Sequence, residues 1–301
     1  MHTYRSLTTS RLLLWQTKNI AIFASLSVLV VIADELYGKA LAFAIPAAPV
    51  TVLGGAIGIY VSFRTNSAYD RWWEGRRLWG QLVNTSRHFA AEVLAYLPED
   101  DAWPRCREFV LHHVLYVHAL RCELRGDSPA QDADVQRVAS ESEVTLDASR
   151  PTVTVRLLRL QLEALAQLTR DGKLHELRLQ RFDQTLATLL DVQGGCERIR
   201  NTPLPPAYPL STELLIRTYA VLLPLALVDD LHWMAIPVSI VVCLALKLIN
   251  EVGRSLENPF THDWEALPLH ALSLTIERNL RDAIGDAAPP PTKPNSRGVL
   301  L

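Results

Sequence analysis

Residues 40–63 read ALAFAIPAAPVTVLGGAIGIYVSF, a run of 24 residues without a charged side chain. A helix needs about 20 apolar residues to cross the roughly 30 Å of hydrocarbon in a bilayer, so this run alone is long enough to span a membrane. A second uncharged run, IAIFASLSVLVVIA at residues 20–33, ends six residues before it. That run reaches the required length only if its helix begins before Lys18, whose long side chain can extend to the interface. Together the two runs predict a transmembrane helical hairpin.

A second apolar pair lies near the C-terminus. Residues 218–228 (TYAVLLPLALV) and 231–246 (LHWMAIPVSIVVCLAL) are separated by two aspartates. Each run is shorter than a full span, so we expect the first helix to begin near Leu210 and to include Glu213 and Arg217. Polar groups at such depth usually face protein or water rather than lipid. The sequence therefore predicts an all-α integral membrane protein with four transmembrane helices in two hairpins.

The overall composition excludes several classes of protein. The 301 residues are 49% hydrophobic and 21% charged, and the formal net charge is −2. These values are not those of a disordered chain or of a strongly nucleic-acid-binding protein, so we expect no nucleic-acid partner. The four cysteines lie far apart without a CxxC spacing, which indicates neither a disulfide framework nor a zinc site: Cys106, Cys122, Cys196 and Cys243. We expect no metal ion and no cofactor.

The basic residues next to the predicted spans predict the orientation. The first 19 residues contain three basic side chains and no acidic one, and five arginines follow the second span within 24 residues. Two basic residues, Lys247 and Arg254, follow the last span, whereas the loop of each hairpin has at most one. Short cytoplasmic flanks are enriched in lysine and arginine. We therefore expect a multi-pass protein of the cell (inner or plasma) membrane with both termini in the cytoplasm.

Residues 20–33 have one alternative interpretation. The basic start at Arg5, Arg11 and Lys18, the short apolar run and the small residue Ala33 also fit a cleaved signal peptide. The longer apolar run that follows almost at once is what a hairpin requires. We therefore favour a retained first helix.

The segment between the hairpins has the pattern of soluble helices. Leu158, Leu162 and Leu165 share one helix face, and a second stripe consists of Leu179, Phe182, Leu186 and Leu189. Residues 126–152 are polar and acidic, which is typical of a loop or a partly disordered linker, and the proline-rich tail should be extended. We expect five regions: a first hairpin at 1–63, a cytosolic helical region at 64–208, a second hairpin at 209–250, a cytosolic segment at 251–286 and a tail at 287–301.

Signals for catalysis are weak. The only glycine-rich stretch, Gly54-Gly55-x-x-Gly58, lies inside an apolar run and has no P-loop lysine. Small residues at that spacing usually indicate close helix packing in a membrane. His112, His113 and His118 lack the i, i+4 spacing that places two ligands on one helix face, so we interpret them as packed or surface histidines. The sequence does not indicate an enzyme.

Three separated motifs resemble the bestrophin family of pentameric ion channels, in its prokaryotic branch. The first is FRTNSAYDRWWEGRRLWG at residues 63–80, directly after the second span. The second is GCERI at residues 195–199, followed by NTP and Tyr208, and the third is ENPF at residues 257–260, followed by LPL. The residues that carry the resemblance are Arg64, Asn66, Arg71, Trp72, Trp73, Glu74, Cys196, Glu197, Arg198, Glu257, Asn258, Pro259 and Phe260.

The resemblance implies a funnel of five subunits around one axial pore. The family's apolar neck corresponds by position to Gly55, Ile59 and Phe63. These residues are spaced at i, i+4 and i+8, so they share one face of a helix. A narrow apolar collar can gate by dewetting, because an ion there loses water without a polar replacement. Gly55 departs from the family, which usually has a larger apolar residue, and the alternative for the other two is packing against helices or lipid.

The resemblance also bears on a cytosolic constriction, on calcium binding and on the permeant ion. It places a cytosolic constriction between Leu179 and Leu186. The acidic run that binds calcium in animal members is reduced here to Glu257, Asp263 and Glu265, which does not support calcium gating. We expect a passive channel for inorganic ions, with anions such as chloride preferred and a sodium or other monovalent cation channel as the alternative. From another class, a membrane-anchored scaffold or sensor fits the same helices.

Overall fold

The computed structural model describes residues 16–41, 45–97, 102–146, 152–263 and 265–291. Within these ranges every regular element is a helix, which confirms the all-α prediction. Arg5, Arg11, most of the proline-rich tail and the end of the polar segment lie outside the described residues. The chain divides into two compact units. The apolar unit contains residues 4–72 and 203–257, and the bundle unit contains residues 73–202 and 258–301.

The helices are numbered here in chain order. They are α1 (Thr17–Leu41), α2 (Ala47–Tyr96), α3 (Ala102–Arg125), α4 (Ala133–Glu141), α5 (Val153–Arg170), α6 (Glu176–Asn201), α7 (Ala207–Leu231), α8 (Ala235–Leu256) and α9 (Leu269–Ala283). Two short 3-10 turns, Pro129–Gln131 and His232–Met234, precede α4 and α8.

Three helical stretches among the described residues are long and apolar enough to cross a membrane. They are Thr17–Tyr37, Ala47–Tyr96 and Ala207–Leu256. The first includes Lys18, as its required length implied. The third contains both α7 and α8, which pack on each other, and His232 breaks the helix between them with a φ of 47°. The second apolar run belongs to a helix of 50 residues that does not end near residue 63.

The core of the apolar unit joins all four of its helices. Phe23 of α1, Ile57 and Val61 of α2, and Cys243 of α8 pack with residues of α7 that include Tyr219. Gly54 of α2 faces the same tyrosine so closely that an added Cβ would overlap its ring and hydroxyl group. The predicted close helix packing at the glycine-rich stretch is therefore confirmed at Gly54. At Gly55 and Gly58 no atom of the described part of the chain lies within 4 Å of an added Cβ.

Helix α3 is the central helix of the bundle unit. Every residue from Phe109 to Cys122 is buried except His112, and α3 packs against α4, α5, α6 and α9. The Nε2 atom of His113 lies 2.9 Å from the Ser86 hydroxyl, and burial lowers the pKa of His113 to about 3. His118 is fully buried as well. The interpretation of these two histidines as packed residues is confirmed.

The polar segment before α5 is not only a loop. Residues 129–141 form a 3-10 turn and helix α4, so the prediction of a loop or disordered linker is wrong for this part. The Asp132 carboxylate caps the helix by accepting hydrogen bonds from two backbone N–H groups. Val135, Val138 and Ala139 then bury one face, with the i, i+3, i+4 spacing of an amphipathic helix. The high acid content of the segment obscured this short apolar stripe.

A buried ionic cluster connects α3, α4 and α9. The Glu277 carboxylate is fully buried and accepts hydrogen bonds from both terminal nitrogens of Arg137, each at 2.8 Å. It also accepts one from Nε of Arg281 at 2.8 Å and lies 2.9 Å from Nε2 of His118. Burial raises the pKa of Glu277, but the hydrogen bonds from His118 and Arg137 outweigh it and hold that pKa at about 2. The carboxylate therefore stays charged inside the bundle unit.

The four cysteines are free and buried. Burial raises the pKa of Cys106, that of Cys122 to about 11 and that of Cys196 to about 12. Thiolate is the reactive form of cysteine, so these thiols are unreactive at neutral pH.

Candidate pore helix and its anchoring contacts

The three predicted neck residues lie on an exposed face of α2. Ile59 is 61% exposed and Phe63 is 68% exposed. No atom of the described residues lies within 4 Å of the position that a Cβ of Gly55 would take. None of the three belongs to the hydrophobic core of the apolar unit, so of the alternative, packing against helices or lipid, contact with lipid or with a partner chain remains open. The stripe faces away from the subunit.

The opposite face of α2 is held by packing and by a buried arginine. Ile57 and Val61 are each 1% exposed and belong to the core of the apolar unit. Arg64 is 2% exposed and donates one hydrogen bond to the Asn250 side chain on α8 and one of 3.3 Å to the Glu257 carboxylate. Hydrogen bonds between charged groups are stronger than neutral ones. We call Arg64, Asn250 and Glu257 the arginine clamp; it fixes α2 directly beside Phe63.

A second arginine supports the same corner of the apolar unit. The Nε atom of Arg71 donates a hydrogen bond of 3.1 Å to the backbone carbonyl of Glu257. Trp72 stacks on Tyr69, with ring centroids 6.3 Å apart. The first and third family motifs therefore meet through Arg64, Arg71 and Glu257. Sequence reasoning did not find Asn250, because a single polar residue near the end of an apolar helix has no distinctive spacing.

Within the bundle unit, residues 74–78 of α2 contact the second and third motifs. Glu74 accepts a hydrogen bond of 2.7 Å from Nη2 of Arg198 on α6. An added Cβ at Gly195 would lie 2.9 Å from a methyl group of Leu78, so α6 approaches α2 closely there. Gly75 approaches the segment after α8 in the same way, and an added Cβ there would lie 3.1 Å from a ring carbon of Pro259.

Other motif residues are buried or form hydrogen bonds with residues close to them in the chain. Phe260 is fully buried, and its backbone N–H donates a hydrogen bond of 3.2 Å to the Asn258 side chain. Cys196 is buried, and the Glu197 carboxylate accepts a hydrogen bond of 2.7 Å from the Gln193 side chain. These two hydrogen bonds are local, whereas those of Arg64, Arg71 and Arg198 join different parts of the fold.

Two motif residues take no part in the contacts described above. Asn66 and Trp73 are exposed, and both lie on the same side of α2 as Phe63, at steps of three and four residues. They extend the exposed stripe of α2 beyond its apolar part.

The predicted cytosolic constriction is divided between two environments. Leu186 is 3% exposed and packs in the core of the bundle unit, while Leu179 is half-buried. Leu177, in the first turn of α6, is 67% exposed. The apolar stripe of α6 identified in the sequence marks the buried face of the helix. It gives no information on the opposite, exposed face. The constriction at Leu179 or Leu186 stays a prediction.

The acidic residues after α8 are dispersed. The Glu257 carboxylate belongs to the arginine clamp, and Asp263 accepts a hydrogen bond of 3.0 Å from the Thr261 hydroxyl. Burial and the neighbouring Asp263 raise the pKa of Glu265 to about 7. Among the described residues no group of three histidine, cysteine or acidic side chains has the arrangement of a metal site.

Comparisons with known proteins agree with the motifs. A model of the bacterial/fungal bestrophin family matches residues 3–282. A voltage-dependent anion channel-forming protein of Ralstonia nicotianae is 35% identical over 238 residues, which are 79% of this chain and 77% of that protein. The voltage-dependent anion channel-forming protein YneE of Escherichia coli K12 is 33% identical over 246 residues, 82% of this chain and 79% of YneE.

A solved structure has the same fold. The bacterial bestrophin homologue from Klebsiella pneumoniae is 34% identical, with a TM-score of 0.81 over 89% of this chain and 98% of that one. The family model covers all three motifs and all four apolar runs. The chain therefore belongs to the bacterial/fungal bestrophin family.

Proposed function

We propose that this chain forms a homopentameric, anion-conducting channel of the cell membrane, in which Gly55, Ile59 and Phe63 of each subunit form an apolar neck. The observation that carries the proposal is the exposed stripe of α2. Channel function in place of catalysis agrees with the family assignment and with relatives that are named anion channel-forming proteins. Chloride is the permeant ion that we propose.

The stripe has the properties of a pore lining. Its apolar part has a large exposed side chain at nearly every turn, with Val52 at 74%, Ile59 at 61% and Phe63 at 68% exposure. From Gly55 to Phe63 it extends about 12 Å along the helix, at 1.5 Å per residue. Five copies around an axis give a short apolar collar that an ion crosses only after losing water. The arginine clamp holds each copy of Phe63 in register.

The charged residues that follow the neck bear on ion selectivity. Asp70 and Arg77 are both exposed on α2. Asp70 lies seven residues after Phe63 and Arg77 seven residues after Asp70, so each is about two helical turns further along the same stripe. A ring of arginines favours anions, and a ring of aspartates favours cations. In the anion proposal, the ring of Arg77 side chains dominates the electrostatic potential along the pore. The exposed Asp70 is the observation that favours the sodium alternative.

The transmembrane arrangement is part of the proposal. We propose four spans, α1, the first half of α2, α7 and α8, with both termini in the cytoplasm. The break at His232 divides the last apolar stretch into two helices of 25 and 22 residues. Each is long enough to cross the roughly 30 Å hydrocarbon core. The cytosolic constriction belongs to the first turns of α6, with Leu179 or Leu186 as its candidate residues.

The test is planar-bilayer recording of the purified full chain under a tenfold sodium chloride gradient. An anion channel should reverse near the chloride equilibrium potential, about 59 mV in magnitude for a monovalent ion. A sodium channel should reverse at the same magnitude with the opposite sign, and that result would replace the anion proposal by its alternative. Native mass spectrometry should give about five times the subunit mass of 33.7 kDa.

The neck is tested by Phe63→Ala against a matched control. Leu214 of α7 is also a large apolar residue and is 66% exposed, so Leu214→Ala removes a similar surface outside the stripe. We expect Phe63→Ala to raise single-channel conductance or alter selectivity, and Leu214→Ala to leave both unchanged. Equal effects of the two variants would contradict the neck. A silent, monomeric protein would favour the scaffold or sensor.

A further inference from the structure

A large cleft lies within the apolar unit, between α1, α7 and α8. Its volume is about 990 Å³, at the upper end of the range for small-molecule sites. Most charged lining residues are at the first turn of α1, the first half of α7 and the last turns of α8, and two more are Arg64 of α2 and Glu257 directly after α8. Apolar residues line the cleft further along α1 and α7: Ile22, Phe23, Leu26 and Val221. The cleft is therefore amphipathic along the direction of the helices.

The three acidic side chains of the cleft already have cationic partners. Glu213 accepts a hydrogen bond of 2.6 Å from Nζ of Lys247 and one of 3.0 Å from Nε of Arg217. The same ammonium group lies 3.0 Å from the Glu251 carboxylate. The third acid, Glu257, is bound in the arginine clamp. These acids are thus neutralised within the cleft wall.

The basic side chains are in excess. Five basic and three acidic residues line the cleft, and Lys18 and Arg254 form no ion pair with any described residue. Both are exposed. Arg64 also lines the cleft; it is 2% exposed, and its Nε atom has no hydrogen-bond acceptor among the described residues. A buried donor without a partner is costly. The cleft therefore has both an excess of positive charge and a buried donor that an anionic group would satisfy.

We propose that this cleft binds an anionic phospholipid, with its phosphate near Lys18 and Arg254 and an acyl chain along Ile22, Leu26 and Val221. Basic pockets between transmembrane helices bind anionic lipid headgroups. A free phosphate would use only the charged end and would leave the apolar lining in contact with water. The extent of that lining along α1 is the reason to assign the phosphate to a lipid.

The experiment measures lipid binding to the purified, delipidated full chain in mixed micelles. The probes are phosphatidylglycerol, zwitterionic phosphatidylcholine and inorganic phosphate. We expect phosphatidylglycerol to bind more tightly than phosphatidylcholine, and Lys18→Gln with Arg254→Gln to weaken it about 25-fold, or about 2 kcal/mol for two basic residues. The double variant Arg159→Gln with Lys173→Gln is the matched control, because it removes two exposed cations from the bundle unit; it should bind as the unchanged protein does.

A second variant tests the acyl chain. Val221 is 44% exposed, so Val221→Trp should fill the groove without disturbing the core and should weaken both lipids. The proposal is overturned if the charge variant binds phosphatidylglycerol as tightly as the control, or if the two lipids bind equally to the unchanged protein. Displacement of phosphatidylglycerol by equimolar inorganic phosphate would overturn the lipid assignment in favour of a free anion.

Discussion

Replacing Glu277 by glutamine should destabilise the bundle unit strongly. The carboxylate accepts three hydrogen bonds of 2.8 Å from Arg137 and Arg281 and is fully buried. Breaking a buried ion pair by removing one partner costs about 3–5 kcal/mol. Arg281 keeps hydrogen bonds to Glu141 at 2.6 Å and to Asp286 at 3.1 Å, so the lower end of that range, about 3 kcal/mol, applies. For a unit of this size, the midpoint of thermal unfolding should fall by about 6–12 °C.

The assay is scanning fluorimetry of the full chain in detergent at pH 7.5, with Glu163→Gln as the matched control. Glu163 lies 3.4 Å from Arg159, and the two side chains are 59% and 63% exposed. An exposed pair of this kind contributes about 0–1 kcal/mol, so the control midpoint should move by no more than about 2–4 °C. The reasoning is refuted if Glu277→Gln unfolds at the same temperature as Glu163→Gln.

Three further predictions concern pH and the packing of α2. The pKa of Glu277 lies at about 2, below its ordinary value of 4.5, so its contribution to stability is present above about pH 4.5 and is lost as the pH falls towards 2. The difference in unfolding midpoint between the unchanged protein and Glu277→Gln should therefore shrink over that interval. A difference that stays constant would contradict the assignment. Gly54→Ala should lower the yield and melting temperature of the folded protein by size-exclusion chromatography and fluorimetry, because its Cβ overlaps a tyrosine, whereas Gly55→Ala should be tolerated. A double-mutant cycle of Glu74→Gln and Arg198→Gln, measured by chemical denaturation, should give a coupling free energy below about 1 kcal/mol, because the pair is substantially exposed. A larger coupling free energy would show that this pair stabilises the fold.

The apolar helices were predictable because their signal lies in composition. Uncharged runs of sufficient length predicted apolar helices at α1, the first half of α2, α7 and α8, and helix α7 contains Glu213 and Arg217 as expected. The end of α2 was not predictable. Residues 64–96 contain no proline and only two glycines, so nothing in the sequence stops the helix. The change in polarity after Phe63 marked the boundary between two predicted regions and gave no information on where the helix ends.

The contacts around the proposed neck were only partly predictable. The motifs identified Arg64 and Glu257, but not that one bonds to the other, because 193 residues separate them in the chain. Asn250 and Glu277 carried no local signal, since each depends on partners brought in by tertiary packing. Helix α4 was missed because its three buried residues stand among acids. Spacing within one helix showed which residues share a face, and packing determined which face is exposed.

The burial of all four native cysteines gives the protein a silent background for chemical labelling. Their thiols are shielded by burial, so a maleimide or methanethiosulfonate reagent should leave the folded chain unmodified. A cysteine introduced at position 55, 59 or 63 would then be the reactive thiol, without prior replacement of native residues. Accessibility scanning of α2 can thus be carried out on the otherwise unaltered sequence, turn by turn and from either side of the bilayer.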